Sequence, residues 1–465
     1  MTDEPATDDR LGSTLVPLAF VIRRGMADLQ VPGVAVGLLL DGEEHAAGFG
    51  VTNVNHPLAV DDETLFQIGS VSKTFAGTAA MRLVDRGVLE LDAPVRTYLP
   101  DFKLSDESAA ARVTMRHLFT HTGGWVGDFF EHTGFGADAL AKIVDRLVHL
   151  PQLTPLGEVY TYSNSGFFVA GRVIEVVTGL TYERAIQSLV LEPLGMRMSF
   201  FRHFATEFII HRVAAGHEVG PNGPVVIRPW ARSRSAAPSG GIVSTIRDLL
   251  RYARFQLGNG LGPDGAAILC PESMALMQSP LFATDGMGGA VGITWMIGEV
   301  GGAKIVRHGG STFGQRAALV LVPSRGFAIV VLTNADRGEA LTGRVTRWAL
   351  EHYLELADPP LVPLTRSADE LAEYAGRYVG ALGDVVATVN GGQLTLNPVP
   401  TGAVPGLTDT VPAMAGFIGE DRFVVLGDLD DTRRGEFLRR AAGTIAWLRF
   451  HGRLHARERQ AAPGE

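Results

Sequence analysis

The stretch Gly69-Ser70-Val71-Ser72-Lys73-Thr74-Phe75 places a serine three residues before a lysine, at the start of an apolar, helix-compatible run. The chain contains four lysines, and only Lys73 has a serine at this spacing. Residues three apart share one face of a helix, so the amine of Lys73 is predicted to lie beside the hydroxyl of Ser70. A serine hydroxyl needs a nearby base before it becomes a useful nucleophile. The stretch therefore favours a nucleophile–base pair, although so short a pattern also fits a serine cap followed by a solvated lysine.

Two later segments add polar groups of the kind that acyl transfer requires. In Gly157–Gly166, a phenol and a carboxamide (Tyr162 and Asn164) stand two residues apart on a predicted loop before the apolar helix Phe167–Val177. The second segment, Arg307-His308-Gly309-Gly310-Ser311, precedes a predicted β-hairpin. Penicillin-recognising enzymes combine Ser-x-x-Lys with Ser-Asp-Asn and Lys-Thr-Gly. Here the order is Ser-x-x-Lys, Tyr-Ser-Asn and His-Gly-Gly, with a long interval between each.

In this order the motifs resemble those of the serine β-lactamase and penicillin-binding-protein superfamily, on its class C-like branch. That branch includes β-lactamase-like esterases, D-aminopeptidases and amidohydrolases. The segments Val113–Gly124, Glu192–Met196 and Gly240–Asp248 are also similar to landmarks of the family. The resemblance covers about residues 20 to 355. It implies an α+β fold of the β-lactamase/DD-peptidase type, in which helices flank an antiparallel sheet and form a helical subdomain.

The resemblance also implies catalytic roles. Ser70 would be the nucleophile that forms an acyl-enzyme, and Lys73 would be the first base. Tyr162 would be a second base or a proton relay to the leaving group, since the family places this tyrosine directly before Ser-Asn, a position that Tyr160 does not occupy. An unperturbed phenol titrates near ~10, so a basic Tyr162 requires Lys73 as a cation nearby.

The remaining motif residues would bind the substrate. Asn164 is expected to orient the lysine and to bind a substrate carbonyl, and His308-Gly309-Gly310 is expected to line the site. The oxyanion hole would consist of two backbone N–H groups, that of the nucleophilic Ser70 and that of Ser311.

The third motif departs from the lactamase form in a way that affects the substrate. Lys-Thr-Gly offers an ammonium and a hydroxyl to a carboxylate, whereas His308 offers an imidazole with an ordinary pKa near ~6.5, and Gly309 offers no hydroxyl. Carboxylate recognition is therefore predicted to be poor, unless Ser311, Thr312 or an arginine compensates. If His308 faces the cleft, lowering the pH through the imidazole pKa is expected to strengthen carboxylate recognition. The pattern favours an esterase or amidase over a β-lactamase.

Composition narrows the class of protein further. The 465 residues are 46% hydrophobic, enough for one large core and a smaller one. A net charge of −9 argues against a nucleic-acid partner, and no apolar run approaches the ~20 residues of a membrane span. The single cysteine, Cys270, excludes an intramolecular disulfide. Residues 1–12 are predicted to be disordered and lack a basic leader, which indicates a cytoplasmic protein.

Hydrophobic patterns predict the elements at both ends of the main domain, residues 13–358. Val34–Leu40 and His45–Val51 are apolar runs joined at Asp41-Gly42, and Arg316–Val322 pairs with Phe327–Thr333; both are typical of hairpins. Leu15–Leu29 and Leu341–Leu356 are predicted helices that flank these strands.

A second domain is predicted at residues 366–465, after a proline-rich linker at residues 359–365. Short strands are predicted at Val385–Asn390, Gln393–Asn397, Arg422–Leu426, Gly435–Arg439 and Thr444–Phe450. Their close spacing suggests a small antiparallel barrel. The opening, Leu371–Tyr378, resembles the lipocalin-like domain that some members of the family carry. We expect a stabilising or oligomerising module, with all of the acylation machinery upstream of it.

The leading prediction is a cofactor-free serine hydrolase of small esters or amides, including D-amino-acid or peptide derivatives, in a protein that can form homo-oligomers. The alternatives are an acyltransferase that passes the acyl group to an amine or alcohol, and a non-catalytic ligand-binding relative. An α/β-hydrolase would need Gly-x-Ser-x-Gly, which is absent from the sequence. His117 and His121 lack the Glu of a His-Glu-x-x-His zinc site, so no metal is predicted.

Overall fold

A computed structural model describes residues 12–201, 210–230, 233–284, 286, 288–400, 411–427 and 433–458. The predicted disorder of residues 1–12 lies outside this description, except for residue 12. The strands before the linker are β1 (Gly33–Leu40), β2 (Glu43–Gly50), β3 (Phe66–Gln67), β4 (Phe200–Phe201), β5 (His217–Gly220), β6 (Gly223–Val226), β7 (Ile242–Ser244), β8 (Phe282–Ala283), β9 (Ala290–Val291), β10 (Met296–Val300), β11 (Ala303–Thr312), β12 (Gln315–Val322) and β13 (Phe327–Thr333).

The described α-helices lie before, between and after these strands. They are α1 (Val16–Leu29), α2 (Ser72–Asp85), α3 (Glu107–Arg112), α4 (Met115–Phe119), α5 (Ala139–Asp145), α6 (Ser165–Thr178), α7 (Tyr182–Ile186), α8 (Ala237–Gly240), α9 (Ile246–Leu257), α10 (Pro271–Met277), α11 (Gly338–Leu354) and α12 (Ala368–Ala372). Among the residues described, no helix is both long enough and apolar enough to cross a bilayer.

The main domain is built on one antiparallel sheet with the strand order β2-β1-β13-β12-β11-β10-β9-β8. The two predicted hairpins are confirmed as β1–β2 and β12–β13. Successive side chains of a strand point to opposite faces of the sheet. Accordingly, Val34 and Val36 of β1 pack against α1 and α11, whereas Ala35 and Leu39 pack towards the helical region that contains α2 and α6. Burial on both faces explains why β1 is apolar along its length.

The C-terminal part is a closed eight-stranded antiparallel barrel, as predicted. Its strands are β14 (Gly376–Val379), β15 (Asp384–Asn390), β16 (Gln393–Val399), β17 (Ala413–Phe417), β18 (Arg422–Leu426), β19 (Arg434–Arg439), β20 (Ile445–Phe450) and β21 (Arg453–Arg457). The sequence does not predict three of these strands, namely β14, β17 and β21. They are short, with four or five residues each, so their alternation is weak.

Aromatic side chains fill the barrel. Phe437 is 2% exposed, and its ring lies within 6.3 Å, centre to centre, of four others: Tyr374, Tyr378, Phe417 and Phe423. Eight strands enclose a space that side chains can occupy completely. The aromatic cluster therefore makes this barrel a packed core.

Phe437→Ala should open a cavity in that core and destabilise the barrel by about 3–5 kcal/mol, the usual loss for a buried Phe. Thermal unfolding followed by tryptophan fluorescence measures the change. Met414→Ala is the control, because Met414 lies in the same barrel but is 43% exposed. Equal loss in the two variants would contradict a side-chain-filled interior.

Candidate active site

The candidate nucleophile lies where a short turn meets the central sheet. Ser70 belongs to a 3-10 turn, Gly69–Val71, that leads into α2. Gly69 has a φ of +50°, and a Cβ on it would lie 2.6 Å from the backbone nitrogen of Ser311. A Cβ on Gly310 would lie 1.9 Å from the carbonyl oxygen of Ile68. The two glycines allow the turn and β11 to meet backbone to backbone, so the N–H of Ser311 borders the nucleophile turn.

Lys73 is fully buried beneath the nucleophile. Its Nζ lies 3.0 Å from Ser70 Oγ, 2.7 Å from Asn164 Oδ1 and 2.7 Å from the backbone oxygen of Ser239. The amide oxygen and the backbone oxygen only accept hydrogen bonds, so each takes one N–H of the lysine. The third position on Nζ faces Ser70 Oγ. A neutral amine has its lone pair at this position, and an ammonium has a proton there. This geometry allows a proton to move between Ser70 and Lys73.

A chain of hydrogen bonds continues from Asn164 to the barrel. Asn164 Nδ2 donates to Asp128 Oδ1 at 2.6 Å. The other carboxylate oxygen of Asp128 accepts from Arg453 Nε at 2.5 Å. Arg453 is the first residue of β21, and 25% of its side chain is exposed. The orientation of the amide, and through it that of Lys73, therefore depends on an ion pair between the two domains.

Tyr162 is the tyrosine that faces the nucleophile. Burial raises the pKa of its phenol above the usual value, although a hydrogen bond with the Ser70 side chain and the charge of Arg453 act to lower it. The guanidinium carbon of Arg453 lies 5.1 Å from the centre of the phenol ring. Tyr160, in contrast, donates its hydroxyl to Met296 Sδ at 3.7 Å. Of the two predicted roles of Tyr162, the raised pKa favours the proton relay over the second base.

His121 packs against the ring of Tyr162. Its ring stacks on Tyr162 at 4.4 Å between centres, and its Nδ1 accepts the backbone N–H of Ser163 at 3.0 Å. Complete burial holds the imidazole pKa well below its usual range, so the ring is neutral. His117 instead contacts Thr114, with 2.9 Å between Nδ1 and Oγ1. The described part of the chain contains no group of three or more side chains that could hold a metal ion.

His308 lies on β11 and is 3% exposed. Its Nδ1 is 2.6 Å from the carbonyl oxygen of Gly309, which only accepts, so Nδ1 carries the proton. Burial, with a smaller effect from the charge of Lys73, lowers the imidazole pKa to about 3. The expectation that His308 titrates near its ordinary pKa is therefore corrected. In this site the ring stays neutral throughout the pH range in which most enzymes work.

The barrel supplies contacts that sequence reasoning did not assign to the site. The loop between β20 and β21 reaches the catalytic region, where the carbonyl oxygen of Gly452 accepts the backbone N–H of Tyr162 at 2.8 Å. Arg449 donates to the carbonyl oxygen of Tyr160 at 2.7 Å. The predicted acylation residues lie upstream of the linker, and the barrel adds contacts to the segments that position them. The sequence contained no signal for Arg453, because arginines are frequent in this part of the chain.

Comparisons with known proteins agree with this architecture. A beta-lactamase family profile matches residues 18–353. Over 363 residues the chain is 35% identical to penicillin-binding protein 4 of Amycolatopsis lactamdurans, and the match covers 75% of this chain and 93% of that protein.

Two solved structures share the fold. The crystal structure of SurE with D-Leu has a TM-score of 0.73 at 24% identity and covers 95% of this chain and 99% of its own. The class C beta-lactamase from Rhodobacter sphaeroides has a TM-score of 0.61 at 24% identity and covers 72% of this chain and 99% of its own. The two structures thus confirm the predicted fold.

The neutrality of His308 gives a prediction about pH. The ratio of kcat/KM for an ester with a free carboxylate to that for its matched methyl ester should stay constant between pH 5 and 8. The double variant His308→Lys, Gly309→Thr should raise this ratio, because a charged hydrogen bond contributes roughly 1.5–3 kcal/mol. A ratio that climbs in the wild type as the pH falls through 6.5 would mean that His308 titrates normally.

Arg453→Met should lower kcat by about 10–100-fold, because the buried Asp128 loses its counter-charge and no longer holds Asn164 in place. The pH profile of kcat should shift as well, since the charge that faces Tyr162 is lost. Arg457→Met is a matched control: it lies on the same strand, stacks over Tyr378 and contacts the backbone of Ala375. Equal kinetics in the two variants would mean that Arg453 does not organise the site.

Proposed function

Because the chain belongs to the beta-lactamase family, we propose that it is a serine hydrolase that cleaves small esters or amides through an acyl-enzyme on Ser70. The observation that supports this most directly is the position of Lys73, whose buried amine lies 3.0 Å from the serine oxygen and is held by two acceptor oxygens. A solvated lysine near a serine cap, the alternative interpretation of the motif, would not be fully buried.

In the proposed acylation step, neutral Lys73 accepts the proton of Ser70 while Oγ attacks the substrate carbonyl. The resulting ammonium is stabilised by Asn164 and Ser239. The developing oxyanion would lie between the backbone N–H groups of Ser70 and Ser311, which the close approach of β11 brings together. Oriented backbone donors in a dry site stabilise such a charge strongly.

Tyr162 is proposed to protonate the leaving group. A phenol whose pKa is raised is a poor base but keeps a proton available, and Tyr162 lies beside the nucleophilic Ser70. The proton of Lys73 then replaces the one that Tyr162 gives away; Lys73 Nζ lies 4.9 Å from the centre of the phenol ring. Tyr162 is thus a relay between the amine and the leaving group, one of the two roles expected from the sequence.

For the substrate, we propose a neutral acyl donor that lacks the carboxylate of a penicillin, so β-lactamase activity should be weak. The neutral His308 and the missing hydroxyl at Gly309 support this, because neither supplies a charge or a donor for an anion. D-amino-acid esters and amides are the first candidates, since SurE was crystallised with D-Leu. Cytoplasmic location and homo-oligomer formation stay predictions.

Ser70→Ala should abolish turnover of p-nitrophenyl and D-amino-acid esters, and a fluorophosphonate probe should modify Ser70 alone. Tyr162→Phe should lower kcat by roughly 10²–10⁴-fold, the usual effect of losing a general acid. Tyr160→Phe is the matched control and should change kcat little, because its hydroxyl contacts only Met296 among the described residues. Peptide mapping that places the probe on Ser163 or Ser311 would contradict the assignment.

A further inference from the structure

Two arginines on opposite sides of the boundary between the domains have no acceptor among the described residues. Arg307, on β11, forms no hydrogen bond or ion pair with the described part of the chain, and neither does Arg434, the first residue of β19. In contrast, Arg449 and Arg453, which also reach from the barrel to the main domain, are each bonded to a carboxylate. The first two guanidinium groups are therefore available to a ligand.

These two guanidinium groups lie close together. A Cβ on Gly288, which lies between β8 and β9, would be 2.3 Å from Nη1 of Arg434. Gly288 and Arg307 line one cleft with a volume of about 60 Å³. The protein around Arg307, and after it the charge of Arg434, lowers the pKa of the Arg307 guanidinium, although the residue keeps an exposed surface. Like charges this close repel each other, and an anion between them would remove the repulsion.

The other polar side chains that line the cleft carry hydroxyl groups. Tyr160 directs its hydroxyl to Met296 Sδ, a weak acceptor that a stronger one can replace. Burial raises the pKa of this phenol, so it keeps its proton. The side chain of Thr284 adds a second hydroxyl. The carboxylate of Glu436 lies near this part of the barrel surface, but it is bonded to Arg449. The cleft therefore offers cations and O–H donors to a ligand.

We propose that this cleft binds a small oxyanion, a carboxylate or phosphate group, between Arg307 of the main domain and Arg434 of the barrel. The planar fork of a guanidinium matches two oxygens of either group. One water molecule needs roughly 10–15 Å³ of such space, so about 60 Å³ admits a group of four or five heavy atoms. None of the residues assigned to the acylation step lines the cleft, and the inference does not rest on the proposed function.

An anion held by both arginines would join the two domains. Arg307 belongs to the central sheet and Arg434 to the barrel, so a ligand that needs both binds only when the barrel is docked. A ligand that binds one arrangement stabilises it by mass action. The same docking brings Arg453 to Asp128, which holds Asn164. The oxyanion is therefore expected to favour the arrangement in which the catalytic region is complete.

The test measures the binding of inorganic phosphate and of acetate to the full-length protein by isothermal titration calorimetry. Ionic strength is held constant, which separates binding at a site from general screening. Arg307→Gln and Arg434→Gln each remove one guanidinium from the cleft. Lys304→Gln is the matched control, because it removes the same charge from an exposed side chain of β11 that does not line the cleft.

We expect the wild type and Lys304→Gln to bind one anion per chain with equal affinity. Each arginine variant should bind it at least about 10-fold more weakly, because a charge-assisted hydrogen bond is lost. The same anion should raise the midpoint of thermal unfolding of the wild type more than that of Arg434→Gln. Tighter binding of phosphate than of acetate would assign a phosphate ligand, and the reverse order a carboxylate.

Absence of binding of both anions to the wild type would overturn the inference. So would an affinity that is unchanged in both arginine variants, or one that falls equally in Lys304→Gln. Because the two arginines belong to different domains, one folded variant is enough for the comparison. The measurement involves no turnover, so failure to form an acyl-enzyme on Ser70 would contradict the proposed function and leave this result unaffected.

Discussion

The structure depends on keeping one amine buried. Lys73 is inaccessible to solvent, and an amine that gains a proton in such a place is tolerated only if oxygen atoms surround it. Those oxygens come from three separate segments: the turn before α2, the start of α6 and helix α8. The requirement fixes how these segments pack, and with them the position of Ser70 over the sheet. The geometry of Ser70 and Lys73 therefore depends on how the core is packed.

The position of Lys73 also depends on contacts from outside the main domain. Asn164 can hold Lys73 only if its own amide is held, and Asp128 does this while paired with Arg453. The barrel, whose interior is filled with aromatic rings, thus acts through its surface. A hairpin tip between β20 and β21 contributes one backbone oxygen and one guanidinium to the catalytic region. Each domain supplies part of a network that neither completes alone.

Much of this could be predicted from the sequence, for identifiable reasons. Local periodicity and turn chemistry gave the hairpins β1–β2 and β12–β13, and the order of three motifs indicated that Ser70, Lys73 and Tyr162 belong to one site. Ser239 and Arg453 were missed because their contacts join residues 166 and 325 positions apart, and such contacts leave no local pattern. The pKa values of Tyr162 and His308 could not be predicted from the sequence, because reference values omit the burial that dominates both.

The pairing of Asp128 with Arg453 also has a consequence for how the protein becomes active. A contact that spans 325 residues closes a very long loop, and closing it costs conformational entropy that packing must offset. The three oxygens around Lys73 come from the main domain, whereas the ion pair that holds Asp128 comes from the barrel. Without a docked barrel, Ser70 and Lys73 would keep their neighbours, but Asp128 would lose the partner that helps it hold Asn164. The geometry of the site is therefore coupled to the docking of the barrel.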